Sequence, residues 1–157
     1  MVNKILVIIG TRPEAIKMAP VIIQLRKQFK VKLCLTGQHD KLLQESVKIF
    51  NLKVDYDLKI MKQNQSLFDI SIKILKKINL VIDNTNPDLI LVHGDTTTST
   101  MSALAGFYRN IKIGHVEAGL RTNDIYSPYP EELNRQITAR LSNIHFAPSK
   151  IAKQNLI

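Results

Sequence analysis

The chain has 157 residues, 45% hydrophobic and 22% charged, the balance of one compact globular domain and not of a disordered or collagen-like chain. Its formal net charge is +9, from 22 Lys and Arg against 13 Asp and Glu, so an anionic partner is the first electrostatic question. The lysines are scattered, with Lys73, Lys76 and Lys77 the densest group, and there is no Trp on which bases could stack. A solvated lysine-rich surface is therefore the preferred reading, and nucleic acid ranks lowest among partners.

The longest apolar run, Ile5 to Ile9, falls far short of the ~20 residues that span a bilayer. It is also too short for a signal peptide, since Arg12 and Glu14 follow at once. The single Cys34 excludes an internal disulfide, and a soluble cytoplasmic protein without membrane contact is expected.

Strand and helix patterns alternate along the chain. Lys4 to Ile9 is a nearly continuous β-branched run closed by Gly10, as a strand covered on both faces would be. Pro13 and Glu14 suit the first turn of a helix carrying Val21, Ile22, Leu25 and Phe29, with a kink or break predicted at Pro20. Val31 to Thr36 is a second strand before Gly37, and Asp40 to Phe50 a second helix. Ser66-Leu67-Phe68-Asp69 matches a capping box, followed at helical spacing by Ile70, Ile74 and Ile78. Leu89 to His93 is a third strand, Thr97 to Arg109 a helix, and Ile111 to His115 a further strand. Ser127 to Pro130 open a helix whose apolar stripe is Leu133, Ile137 and Leu141, and His145 to Ala147 form a last short strand. The chain ends at Ile157, inside what reads as another helix starting at Ser149. This alternation predicts an α/β fold, one parallel sheet with helices on both faces.

Ligands of such sheets bind beyond the carboxyl ends of the strands. The unusual residues fall there: Gly10-Thr11-Arg12, Gly37-Gln38-His39, His93 to Thr98 and His115-Val116-Glu117. A glycine turn into a helix amino terminus offers backbone N–H groups to a phosphate, and Arg12 adds a bidentate donor. The turn is neither a G-x-G-x-x-G fingerprint nor a P-loop, so no NAD or ATP cofactor is expected. Five consecutive hydroxyl residues, Thr96 to Thr100, exceed what one cap requires and could meet phosphate or sugar hydroxyls. Asp95 is either that helix's cap or a carboxylate facing the ligand. Glu117 follows a buried strand and must be solvated, paired or functional, with Arg121 its nearest structural partner. Glu131 and Arg135 share a helix face at i,i+4. The four dispersed histidines and the absence of H-E-x-x-H spacing predict no metal site.

Taken together and in order, these five segments carry a resemblance. Gly10 to Pro20, the Gly37-Gln38-His39 turn, His93 to Thr98, Gly114 to Thr122 and Ser127 to Arg135 resemble the bacterial non-hydrolysing UDP-N-acetylglucosamine 2-epimerase family. The resemblance implies a Rossmann-like domain over residues 1–157, the amino-terminal half of a glycosyltransferase-B-type two-domain enzyme whose second domain is absent from this chain. It implies interconversion of UDP-N-acetylglucosamine and UDP-N-acetylmannosamine by elimination and re-addition of UDP, within surface-polysaccharide synthesis. Asp95, Glu117 and Glu131 match the family's essential carboxylates. Arg12 and Lys17 match cations on the diphosphate side, and Arg135 joins the substrate-binding set. Gln38 and His39 match an activator region, but Lys41 and Asn64 stand where activator-dependent members carry glutamine and arginine, which argues against allosteric activation. A homodimer through this domain is also implied. With half the cleft absent, little or no turnover by the chain alone is expected. A catalytically inactive fragment and a fragment of a same-fold sugar-nucleotide transferase are the alternatives.

Overall fold

The structure, a computed structural model, describes residues 2–37, 41–60 and 64–157. Six parallel strands are described: β1 (Lys4–Ile9), β2 (Lys30–Leu35), β3 (Tyr56–Asp57), β4 (Leu89–His93), β5 (Lys112–Val116) and β6 (Ile144–Phe146). They lie in the order β3-β2-β1-β4-β5-β6, the order of a Rossmann-like sheet. The helices are α1 (Arg12–Leu25), α2 (Lys41–Ile49), α3 (Leu67–Thr85), α4 (Thr97–Tyr108), α5 (Glu131–Leu141) and α6 (Lys150–Gln154).

The unbroken apolar run of β1 follows from its central place. Ile5, Val7 and Ile9 pack with Ala15, Met18 and Ile22 of α1 and Leu43 of α2 on one face. Leu6 and Ile8 pack with Ile74 and Ile78 of α3 and Ala103 of α4 on the other. Successive side chains of a strand point to opposite faces, so both must be apolar when both are covered. The capping box forms as predicted, with the Asp69 N–H donating to Ser66 Oγ at 3.1 Å and the Ser66 N–H to Asp69 Oδ2 at 3.1 Å.

Two expectations need correction, and one strand was not anticipated. Helix α1 continues through Pro20 to Leu25 without a break. Pro20 and Ile16, whose carbonyl loses its usual donor there, both lie on the exposed side of α1. Strand β3, only two residues long, has no hydrophobic run by which a sequence could announce it. The apolar stripe of α5 faces the core only at Leu141: Leu133 and Ile137 are 42% and 37% exposed, while Glu132, Asn134 and Thr138 are buried. The reason lies in the neighbouring helix. Helix α4 presents hydroxyls to α5, with Thr100 Oγ1 2.9 Å from Thr138 Oγ1 and donating to the Asn134 carbonyl at 3.2 Å. Buried hydroxyls need partners, and a polar face of α5 supplies them where leucine would not.

Candidate active site

The strand order reverses between β1 and β4, all strands staying parallel. Helix α1 leaves β1 on one face and α4 leaves β4 on the other, which opens a crevice above the two strand ends. A cavity of about 270 Å³ there is lined by residues including Gly10, Thr11, Asp95, Thr97, Glu131 and Asn134. Gly10 is required by close packing: a Cβ on it would lie 2.7 Å from Thr98 Oγ1 and 2.8 Å from Thr36 Oγ1.

The backbone N–H groups of Gly10 and Thr11 do not face a ligand. Both donate to Glu14 Oε2, Thr11 at 3.1 Å, and Thr96 Oγ1 donates to Glu14 Oε1 at 2.8 Å. Glu14 is buried, 3% exposed, and ties the loop after β1 to the loop after β4. Burial pushes its carboxyl up from the ordinary value, while the Gly10, Thr96 and Thr11 hydrogen bonds oppose that rise. The expected phosphate cradle at this turn is thus occupied by the protein's own carboxylate. Arg12, exposed at the start of α1, has no hydrogen bond or ion pair among the described residues.

The hydroxyl run is also largely internal. Thr96 is the amino-terminal cap of α4, accepting from the Ser99 N–H at 3.2 Å. Thr98 bonds Thr36, Ser99 donates to the His93 carbonyl, and Thr100 turns to α5. Thr97 alone of the five makes no side-chain bond among the described residues, and it lines the cavity with Thr96 and Thr98. With Thr96 as the cap, Asp95 is free for another use.

Asp95 accepts from Arg135 Nη2, and its carbonyl accepts from Asn134 Nδ2 at 3.0 Å. Arg135 also lies 3.4 Å from Glu132, not from Glu131 as the i,i+4 spacing suggested. Glu132 is fully buried and accepts from the Thr122 N–H at 3.0 Å and Gln136 Nε2 at 2.8 Å. Burial alone would raise its carboxyl, but the Gln136 and Thr122 bonds and the Arg135 charge hold it below the ordinary range. Glu131 has no ion pair among the described residues and lines the cavity beside Asp95.

Glu117 pairs with Lys17 Nζ at 2.6 Å, across 100 residues of sequence, and lies 3.6 Å from His93 Nε2. Arg121, the expected partner, instead donates to the Leu120 carbonyl at 2.7 Å. Glu117 adopts φ 63°, a left-handed conformation that costs a non-glycine residue about 1–2 kcal/mol. Such strain is maintained where surrounding contacts fix it, and here it turns the carboxylate toward Lys17 and His93. His93 is buried. Desolvation lowers its pKa, the Glu117 and Asp95 charges oppose that fall, and Lys17 adds to it. His93 thus senses both carboxylates and lies between them electrostatically.

The site therefore brings Asp95, Glu131 and Arg135 together at the cavity, with Glu117, Lys17 and His93 beside them. Gln38 and His39 lie outside the described residues. Sequence reasoning marked His93 without giving it a role, assigned none to Glu132 and Asn134, and gave Glu14 only a helix-dipole role. The signal for Glu14 was present in Thr11-Arg12-Pro13-Glu14, which has capping-box spacing. No group of three or more potential metal ligands occurs among the described residues.

The family described as UDP-N-acetylglucosamine 2-epimerase matches residues 22–157. The chain belongs to the UDP-N-acetylglucosamine 2-epimerase family. It is 54% identical over its whole length to a UDP-N-acetylglucosamine 2-epimerase of Campylobacter jejuni, and 49% identical over 98% of its length to that of Escherichia coli K12. In both cases it spans 42% of the relative's length. Its fold superimposes with a TM-score of 0.95 on UDP-GlcNAc 2-epimerase from Neisseria meningitidis bound to UDP-GlcNAc, at 52% identity, covering 98% of this chain and 42% of that one. The Methanocaldococcus jannaschii epimerase in complex with UDP-GlcNAc and UDP gives a TM-score of 0.90 at 37% identity, over 98% of this chain and 42% of that one. The Rossmann-like fold and the family are thus established together. No described helix is long and apolar enough to cross a membrane.

Proposed function

We propose that this chain is the amino-terminal, acid–base-bearing portion of a UDP-N-acetylglucosamine 2-epimerase. The reading rests on one observation above others: Asp95 and Glu131 line one crevice at the sheet's switch point, and Glu117, paired with Lys17, follows the adjacent strand β5. The substrate is a UDP-sugar, as in the ligand-bound Neisseria meningitidis relative.

The hydrogen at C2 of N-acetylglucosamine has no adjacent carbonyl, so removing it and returning it directly would be slow. Elimination solves this. A carboxylate takes the C2 proton as the C1–O bond to UDP breaks, leaving a C1–C2 double bond in the sugar. UDP then adds back at C1 while C2 is protonated from the opposite face, giving the manno configuration. Each direction needs a base, an acid and cations that stabilise the departing diphosphate. Asp95, Glu117 and Glu131 supply the proton-transfer groups, and Arg12 and Lys17 the cations. Arg135 binds Asp95 and holds it toward the substrate. Glu14 and Glu132 do not touch the sugar: one fixes the two loops and the other fixes Arg135.

Turnover requires the remainder of the cleft, a second domain beyond this one, to hold the nucleotide and exclude water. A homodimer is part of the proposal, supported by the exposed apolar side chains Ile72, Leu80, Phe107 and Tyr108 on α3 and α4. Sedimentation tests it.

The experiment for the reaction itself is incubation with UDP-N-acetylglucosamine and chromatography for UDP-N-acetylmannosamine. It is run on this chain alone, and on this chain joined to the carboxyl-terminal portion of the Campylobacter jejuni relative. Product from the joined chain and little or none from the single chain is expected. A joined chain that folds and yields no product would refute the proposal.

A further inference from the structure

A second cavity, about 420 Å³, lies between the end of α5, β6 and α6, away from the crevice above β1 and β4. Its lining includes Arg121, Gln136, Arg140, Ser142, His145 and Asn155, with no Asp or Glu. The size is that of a small-molecule site, for which about 300–1,000 Å³ is usual.

The two arginines, like Arg12, meet no carboxylate among the described residues. Arg26, Arg109 and Arg135 each meet a carboxylate, Asp55, Asp83 and Asp95 respectively. Arg140 has no hydrogen bond or ion pair among the described residues, and Arg121 only its donation to the Leu120 carbonyl. Arg121 belongs to the segment that carries Glu117, yet it turns away from Glu117 and into this cavity. Behind the cavity, buried His115 has its pKa drawn down to about 4 by desolvation, against the hydrogen bond to the Gly94 carbonyl.

The uncharged groups each have one donor committed. Ser142 Oγ donates to the Thr138 carbonyl at 2.7 Å, Asn155 Nδ2 to the Gly119 carbonyl at 2.8 Å, and Gln136 Nε2 to Glu132. What they have left to offer a ligand is their oxygens, as acceptors, and the second amide N–H of Asn155 and of Gln136. Guanidinium donors beside acceptor oxygens suit a molecule with an anionic group and free hydroxyls.

The geometry points to this cavity as a second anion site that binds a phosphate ester carrying free hydroxyl groups. Arg121 and Arg140 clamp the phosphate, and Ser142, Gln136 and Asn155 accept from the hydroxyls. The inference does not depend on the epimerase reading. Arg12 and Lys17, the cations of that reading, take no part in it.

The test titrates the chain with inorganic phosphate, glucose 1-phosphate and UMP, followed by amide NMR shifts. Saturable binding of an ester is expected, tighter than inorganic phosphate, with shifts clustered at residues 119–121, 136–145 and 155. The tighter ester identifies the source as sugar or nucleotide. Arg140→Ala and Arg121→Ala are each expected to weaken it about tenfold. Arg140 is exposed, so its variant keeps the native melting temperature. Absence of saturation at about 20 mM ligand, or inorganic phosphate binding as tightly as both esters, overturns the proposal. So does binding abolished by Arg12→Ala and untouched by Arg140→Ala, a result that would favour the crevice and leave the epimerase reading standing.

Discussion

Replacing Glu14 tests whether a buried carboxylate holds the two loops of the crevice together. Glu14→Ala removes the acceptor for the Gly10 N–H, the Thr11 N–H and the Thr96 hydroxyl. An unsatisfied buried donor costs about 1–3 kcal/mol, and the crevice admits water to part of this set, so a net loss of about 3 kcal/mol is expected. For a domain of this size that lowers Tm by roughly 6–12 °C. Glu14→Gln keeps the shape and an acceptor oxygen but removes the charge. In the unfolded chain Glu14 ionises near its ordinary value of 4.5, while in the fold burial makes it hold its proton to higher pH. As pH rises above 4.5 the unfolded chain ionises first. The native protein therefore loses stability relative to Glu14→Gln until the folded carboxyl has ionised too, after which the difference is constant. Urea unfolding of both proteins from pH 4 to 8 measures this. A native protein that gains on the Gln variant with rising pH would show that the fold prefers the anion, and the reasoning would be refuted.

Further outcomes follow from other contacts. Arg135→Met leaves Asp95 and fully buried Glu132 without their shared cation and should cost about 3 kcal/mol in urea unfolding. Adding Glu132→Gln should restore part of that loss, and strict additivity would deny the network. Gly119 has φ 91°, and a Cβ there would lie 2.0 Å from the Ala152 carbonyl oxygen. Gly119→Ala should therefore destabilise by more than about 3 kcal/mol, and a native melting temperature would contradict the packing described. Buried His115, whose pKa falls from 6.5 to about 4, stays neutral in the fold while the unfolded chain takes up its proton. Stability from this group is complete above pH 6.5 and is lost as pH falls toward 4, by about 3 kcal/mol. An imidazole NMR titration with its midpoint near 6.5 would disprove it.

The architecture was legible because the covering of the sheet is written in its strands. β1, apolar on both faces, could only be a central strand, and each strand's closing glycine or histidine marked the rim where ligands bind. Asp95 and Glu117 stood out at such strand ends, whereas Glu131, at the start of α5, was singled out by the family resemblance. Their partners did not stand out, because pairing is decided by which helix faces which. Spacing proposed Glu117–Arg121 and Glu131–Arg135, both local. The fold chose Glu117–Lys17 and Asp95–Arg135, pairs of high sequence separation that no periodicity encodes. The orientation of α5 was hidden for a related reason: its apolar stripe is real, but the hydroxyls of α4 make the polar face the buried one. Pro20 misled because the rule against proline inside helices assumes that the freed carbonyl is buried, whereas here it lies on the solvent side of α1.

Deuterium uptake tests whether the three acids act on one carbon. This chain, joined to the carboxyl-terminal portion of the Campylobacter jejuni relative, is incubated with UDP-N-acetylglucosamine in heavy water, and the C2 position is followed by NMR. Label should enter C2 in the native sequence and fall by at least about a hundredfold in Asp95→Asn, Glu117→Gln and Glu131→Gln, the scale of lost acid–base catalysis. Label entering all three variants at the native rate would mean that these carboxylates do not handle the proton.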